Sequence, residues 1–112
     1  MKGRVVLVRF PFDDLSTTKV RPAVCLTGTI GEHDHIVLAF ITSRLPATIL
    51  PSDIVIDPAR PNLSATGLRV QSTLRLHRLM TVSRDVILRE LGRIPSSVQR
   101  QIDEKLRQLF RL

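Results

Sequence analysis

Tryptophan and tyrosine are absent from the sequence, and four phenylalanines are its only large aromatic side chains. The hydrophobic core must therefore be built from Val, Ile and Leu, and few side chains are available to stack on unpaired bases. A single cysteine, Cys25, excludes an intrachain disulfide. Because Cys25 lies in an apolar run, we expect it to be buried in the core and not to act as a nucleophile.

Long apolar runs are also absent, since the longest covers only residues 36–41. This run is far shorter than a membrane span, and the N-terminus has no apolar segment typical of a signal peptide. We therefore expect a cytoplasmic protein without a membrane contact. The length of 112 residues predicts one domain over residues 1–112.

The charge of the chain is strongly positive, with 17 basic and 10 acidic side chains and a formal net charge of +7. Only Lys2, Lys19 and Lys105 are lysines, so most of the positive charge is carried by arginine. The planar guanidinium group suits bidentate contact with phosphate. The charge favours nucleic acid or an acidic protein segment as a partner, although a basic protein without a polyanionic partner has the same composition.

The chain divides into a β-rich part and a helical tail. Short apolar runs separated by turn residues predict strands, and a helical spacing of apolar residues follows them. We predict strands at residues 3–10, 22–27, 35–42, 52–57, 68–76 and 79–82, and helices at residues 83–91 and from residue 96 onward. This order predicts a mainly β fold, a small barrel with C-terminal helices packed on it. The apolar side chains of the last helix are expected to pack inward.

Metal-binding motifs are scarce, and neither a P-loop, an HExxH sequence nor a cysteine pair is present. His33 and His35 flank Asp34 and could bind a metal ion, but no further ligand accompanies them, so a solvated turn is the better interpretation. The sequence predicts no metal site.

Two segments have residues suited to binding a phosphate. Pro22 restricts Arg21 to an extended backbone, which projects the guanidinium from the start of a strand. Thr42, Ser43 and Arg44 follow a buried strand, and two hydroxyls with a cation can bind a phosphate without a metal. The alternative for the Thr-Ser pair is a turn that bonds its own backbone.

A third segment contains Arg75 and His77, which strand alternation places on one face. Arginine can neutralise the charge that builds up on phosphorus, and histidine can transfer a proton near neutral pH. The alternative is a solvated strand face.

Taken together, these segments resemble the MazF/PemK toxin family. The similarity covers nearly the whole chain and consists of short motifs in a specific order. They are Val-Val-Leu-Val-Arg-Phe-Pro-Phe at 5–12, Arg-Pro-Ala-Val at 21–24, Ile-Thr-Ser at 41–43, Gly-Leu at 67–68, Ser-Thr-Leu-Arg-Leu at 72–76 and Leu-Gly-Arg-Ile at 91–94.

The resemblance implies an SH3-like barrel, a homodimer, and cleavage of single-stranded RNA without a metal or other cofactor. In such enzymes the ribose 2′-hydroxyl attacks the neighbouring phosphate and leaves a cyclic phosphate and a 5′-hydroxyl. By position, the resemblance assigns catalysis to Arg21 and Thr42. The residues expected to bind substrate are Phe12, Lys19, Ser43, Arg44 and Arg75, with Phe12 placed to stack on a base.

Three positions differ from the family pattern: His77 replaces an acidic residue proposed as the base, Gln71 replaces an aspartate, and Arg4 stands where an acidic residue is common. We therefore predict that neutral His77 acts as the general base. The basic charge also predicts an acidic, partly disordered antitoxin bound across the groove of Arg21 and Arg75.

Two other functions remain open at this point. The first is a non-catalytic poison on the same fold that acts by protein contact, as in CcdB-like gyrase poisons. The second is an RNA-binding module without turnover, which the low aromatic content disfavours.

Overall fold

The computed structural model describes residues 1–10 and 19–112. The chain forms six strands, two short 3-10 turns at Pro61–Thr66 and Arg84–Val86, and one helix, α1 (Ser96–Phe110). The strands are β1 (Arg4–Phe10), β2 (Lys19–Cys25), β3 (His35–Thr42), β4 (Asp53–Ile56), β5 (Ser72–Ser83) and β6 (Ile87–Arg93).

All six strands belong to one antiparallel sheet in the order β4-β5-β3-β2-β1-β6. The predicted mainly β class with a C-terminal helix is confirmed. The barrel is incompletely closed, because the edge strands β4 and β6 do not pair with each other in the part of the chain described.

The sheet buries apolar side chains on both faces, as strand alternation requires. The helix face packs against α1 and carries residues such as Val5, Val24, Ala39, Ile41, Ile54 and Leu74. The far face carries Val6, Val8, Ala23, Leu38 and Phe40. Val82, Val86 and Ile87 pack on the far-face cluster, so the end of β5 and the segment after it cover that face.

The predicted strands at 68–76 and 79–82 are one long strand, β5, and residues 68–71 lie outside it. Its pairing with β3 shifts between two adjacent β3 residues: Phe40 is opposite Arg75, whereas Ala39 is opposite Leu79. The extra residues on β5 form a bulge, which bends the strand.

The predicted helix at residues 83–91 is wrong. Ser83 does cap a turn, because its hydroxyl accepts a hydrogen bond from the backbone N–H of Asp85 at 3.4 Å, but the turn ends at Val86. The following residues form β6 and pair with β1. Pairing with a distant strand outweighs the local helical spacing, since tertiary contacts override weak propensities.

The predicted final helix is confirmed as α1, and its Val98 and Ile102 are buried. The expectation that its whole apolar stripe packs inward is wrong at the C-terminal end. Leu109 is 38% exposed, Phe110 55% and Leu112 91%. These residues leave an apolar surface at the end of the helix.

Cys25 is fully buried on β2, as predicted. Burial raises the pKa of its thiol to about 11. A thiol of this kind is a poor nucleophile, because the thiolate is the reactive form. Among the helices within the described ranges, none has the length and apolar character needed to cross a bilayer.

Candidate active site

The start of β2 and the end of β3 bring Arg21 and Thr42 to one end of the sheet. The register between the two strands pairs Cys25 with Leu38 and Ala23 with Phe40. The paired register ends at Ala23 and Phe40, and Arg21 and Thr42 each lie two residues beyond this pair on their own strand. Side chains two residues apart on a strand share a face, so Arg21 lies on the far face with Ala23 and Thr42 lies there with Phe40.

Arg21 is exposed, and it has no ion-pair partner among residues 1–10 and 19–112. On its other side it pairs with Val8 of β1, which is buried in the far-face cluster. Lys19 opens the same strand and is also exposed. The two cations are therefore accessible to an anionic ligand on one stretch of β2.

Thr42 is half-buried, and its hydroxyl oxygen accepts a hydrogen bond from the backbone N–H of Arg44 at 3.2 Å. The turn that bonds its own backbone is therefore present. It uses only one lone pair of the hydroxyl oxygen, so the O–H proton remains available for a phosphate oxygen. Ser43 and Arg44 are both exposed beside it.

Ser43 lines a groove of about 360 Å³ together with Leu7 and Pro22. Two further lining residues, Arg69 and Arg89, are exposed arginines that sequence analysis did not single out. The sequence pattern placed Arg89 in the predicted helix at residues 83–91, whereas Arg89 lies on β6 opposite Leu7. This Ser43 groove combines a hydroxyl with two cations, a set suited to an RNA backbone.

Arg75 lies on β5 opposite Asp53 of β4, and the two side chains form an ion pair. The Nε and one terminal nitrogen of Arg75 donate to the two carboxylate oxygens at 3.1 and 3.3 Å. The carboxylate also accepts the backbone N–H of Leu50 at 2.8 Å. The structure therefore holds Arg75 in a fixed orientation, and Asp53 is a residue that sequence analysis missed.

The Asp53 carboxyl is buried, and burial by itself would raise its pKa. The hydrogen bonds from Arg75 and from the Leu50 N–H, together with the charges of Arg75 and His77, outweigh burial and lower the pKa below its usual value. Asp53 is therefore a carboxylate at neutral pH.

His77 lies in the bulge of β5, where the regular pairing with β3 is interrupted. It is exposed and lines a cavity of about 350 Å³ between residues 50–52 and the C-terminal half of α1, including Lys105 and Leu109. Ser43 and His77 thus line different cavities.

Thr73 is a second buried polar residue that sequence analysis missed. It pairs with Thr42 in the register of β5 and β3, so both side chains lie on the far face. Thr73 is fully buried, and its hydroxyl oxygen has no hydrogen-bond partner in the described residues.

Phe12 lies outside the described residues. His33 is exposed in the turn before β3, His35 is the exposed first residue of β3, and their ring centroids are 5.9 Å apart. Within the ranges that the structure covers, no group of three or more His, Cys, Asp or Glu side chains could hold a metal ion.

Comparison with known proteins gives one family match. The profile of the PemK-like, MazF-like toxins of type II toxin-antitoxin systems matches residues 1–110. The comparison with curated protein sequences finds no match.

Solved structures of low sequence identity have the same fold. The Mycobacterium tuberculosis toxin MazF-mt6 is 18% identical with a TM-score of 0.74, and the alignment covers 97% of each chain. A MazE-MazF structure from Deinococcus radiodurans is 20% identical with a TM-score of 0.74, covering 98% of this chain and 94% of that one. An endoribonuclease in complex with its cognate antitoxin from a mycobacterial species is 15% identical with a TM-score of 0.71, covering 100% and 95%.

Proposed function

Because the chain belongs to the PemK-like, MazF-like family of type II toxins, we propose that it is an endoribonuclease that cuts single-stranded RNA without a metal cofactor. The observation that carries the proposal is that Arg21 and Thr42 lie on the same face of the adjacent strands β2 and β3, each two residues beyond the pair of Ala23 and Phe40. A guanidinium and a hydroxyl on adjacent strands can contact two oxygens of one phosphate.

The reaction begins within the substrate. The ribose 2′-oxygen attacks the adjacent phosphorus and gives up its proton to a base. The bond from phosphorus to the 5′-oxygen then breaks, and that oxygen takes up a proton from solvent water. The products are a 2′,3′-cyclic phosphate and a 5′-hydroxyl.

Arg21 stabilises the negative charge on the pentacoordinate phosphorus, because a guanidinium keeps its proton at all physiological pH values. Thr42 and Ser43 donate hydrogen bonds to the nonbridging oxygens and fix the phosphate. Lys19, Arg44 and Phe12 contact the flanking nucleotides. Arg75, fixed by Asp53, adds positive charge on the same face.

His77 is the proposed base. Asp53 is unsuited to that role because its carboxylate is bonded to Arg75 and its lowered pKa makes it a weak proton acceptor. An exposed imidazole is a stronger acceptor at neutral pH. The cavity that His77 lines opens to solvent beside α1, so RNA must reach across the β5 bulge for this role.

We further propose an acidic antitoxin as the partner, because the chain has a net charge of +7 and exposes Arg21, Lys19 and Arg44 at one end of the sheet. One similar structure is an endoribonuclease in complex with its cognate antitoxin. A homodimer would cover the exposed apolar side chains of Leu109 and Phe110.

The exposed C-terminal end of α1 also favours a second candidate function, a toxin that binds a protein target and cuts nothing. Phe110 and Leu112 form an apolar surface that a target protein could cover. This candidate requires the end of α1 and does not require Arg21.

One experiment separates the two functions. Long single-stranded RNA is incubated with the purified protein in the presence of a chelator, and the cut ends are mapped. Cleavage that leaves cyclic phosphates, and that falls about a hundredfold or more in an Arg21→Ala, Thr42→Ala double variant, supports the nuclease.

The matched control is an Arg100→Ala, Thr29→Ala double variant, which removes the same groups from exposed positions on α1 and in the turn before β3. It should cut like the parent. Intact RNA with the parent protein would reject the nuclease function.

A further inference from the structure

Thr73 and Thr42 occupy directly opposite positions on β5 and β3. The Cβ atoms of such a pair lie roughly 5 Å apart, and their side chains project from the same face. Rotation about χ1 moves a threonine hydroxyl between staggered positions, so two hydroxyls at this separation can reach hydrogen-bonding distance. Thr73 is therefore a direct neighbour of a residue of the proposed nuclease site.

The unpartnered hydroxyl of Thr73 lowers the stability of the folded protein. The residue is 0% exposed, and its Oγ1 has no partner within the described part of the chain. Thr66 is equally buried, but its hydroxyl donates to the carbonyl of Leu63 at 2.8 Å and accepts the N–H of Leu68. A buried hydroxyl without a partner destabilises a protein, and such groups occur where function needs them.

Thr42 can accept the hydrogen bond that Thr73 offers. The Thr42 oxygen has two lone pairs, and the N–H of Arg44 uses one of them at 3.2 Å. In the free protein the Thr73 hydroxyl has no partner among the described residues. We propose that Thr73 is a positioning residue of the ribonuclease site: in the transition state for cleavage its O–H rotates and donates to the second lone pair of Thr42 Oγ1.

When both lone pairs of Thr42 Oγ1 accept hydrogen bonds, the O–H of Thr42 can point in only one remaining direction, which is toward the phosphate oxygen. Thr73 does not touch the RNA itself, since it is fully buried. The inference rests on the proposed function, because it specifies how Thr42 binds the phosphate.

The test is Thr73→Val, which keeps the shape of the side chain and removes the hydroxyl. Two effects of opposite sign are expected. The kcat for RNA cleavage falls about tenfold with little change in KM, because the lost interaction acts in the transition state. The Tm rises by roughly 4 °C, because an unpaired buried hydroxyl is removed.

A purely structural role would not lower kcat while raising Tm. Thr73→Ser retains the hydroxyl and should keep kcat close to that of the parent. Thr66→Val is the stability control, since it removes a hydroxyl that has partners and should lower the Tm. In a Thr42→Ala background, Thr73→Val should have no further effect on kcat, because its partner is gone.

The outcomes separate this inference from the proposed function. If the parent leaves RNA intact, the nuclease proposal fails and the role of Thr73 fails with it. If the parent cuts and Thr73→Val cuts with the parental kcat, only the role of Thr73 is rejected. A Thr73→Val variant that unfolds at a lower temperature than the parent would also reject it, because the hydroxyl would then have a structural partner.

Discussion

Arg75 and Asp53 face each other across β5 and β4 and share two hydrogen bonds of 3.1 and 3.3 Å. The Asp53 side chain is fully buried, whereas that of Arg75 is 22% exposed. The pair therefore connects the edge strand to its neighbour and directs the remaining guanidinium surface toward solvent. Because much of the Arg75 charge is matched by Asp53, Arg21 is the better anchor for an anionic partner.

Replacing Asp53 with asparagine should destabilise the fold by about 2–3 kcal/mol, because it leaves a partly buried guanidinium without its counter-charge. Urea denaturation measures the change in the free energy of unfolding. Asp57→Asn is the matched control, because within the described residues the Asp57 carboxylate accepts only the N–H of Ala59, in a turn where asparagine serves equally well. Equal stability of the two variants would contradict a structural role of the ion pair.

The stability that Asp53 provides should depend on pH. Its folded pKa lies below the usual 3.8, so the contribution is complete above that value and is lost as the pH falls through the lower folded pKa. The difference in unfolding free energy between the parent and Asp53→Asn should therefore be constant near neutral pH and shrink from about pH 4 downward. A difference that persists undiminished at about pH 2 would argue against this assignment.

Gly92 and Gly67 allow β6 to cross close to the turn at Pro61–Thr66. A Cβ on Gly92 would lie 2.1 Å from the carbonyl oxygen of Ala65, and one on Gly67 would lie 2.1 Å from that of Leu91. Gly92→Ala should therefore cost about 3 kcal/mol or more, because the clash is with backbone.

Gly28→Ala is the control for this crossing, since a Cβ there meets nothing within 4 Å. It should leave the Tm unchanged or raise it slightly. Thermal unfolding measures both Tm values. Equal Tm values for the Gly28 and Gly92 variants would show that a methyl group fits between β6 and the turn at Pro61–Thr66.

His77→Ala should slow RNA cleavage about a hundredfold if the imidazole removes the 2′-proton. The comparison variant is His35→Ala, which removes an exposed histidine from the start of β3. Single-turnover cleavage rates measure the effect. Parental rates in His77→Ala would assign the proton transfer to another group.

Local patterns in the sequence were sufficient for β1, β3 and α1, and for the existence of β2, which begins three residues and ends two residues before its predicted bounds. The apolar runs of β1, β2 and β3 end at turn residues, and the stripe through Val98 and Ile102 has helical spacing. The positions of Arg21 beside Pro22 and of Thr42 at the end of β3 follow from the same local signals. These features could be predicted because each depends on residues that are near in sequence.

The tertiary structure decided which residues become neighbours. Residues Ile87–Arg93 have a spacing that fits a helix, but they form β6 because β1 offers a partner strand. Arg75 and Asp53 are 22 positions apart, and Thr73 and Thr42 meet only through the β3–β5 register. Residue types and local spacing determined the fold class and the proposed phosphate-binding groups. The fixed orientation of Arg75 and the unpaired Thr73 hydroxyl were decided by strand register, because register depends on contacts between distant parts of the chain.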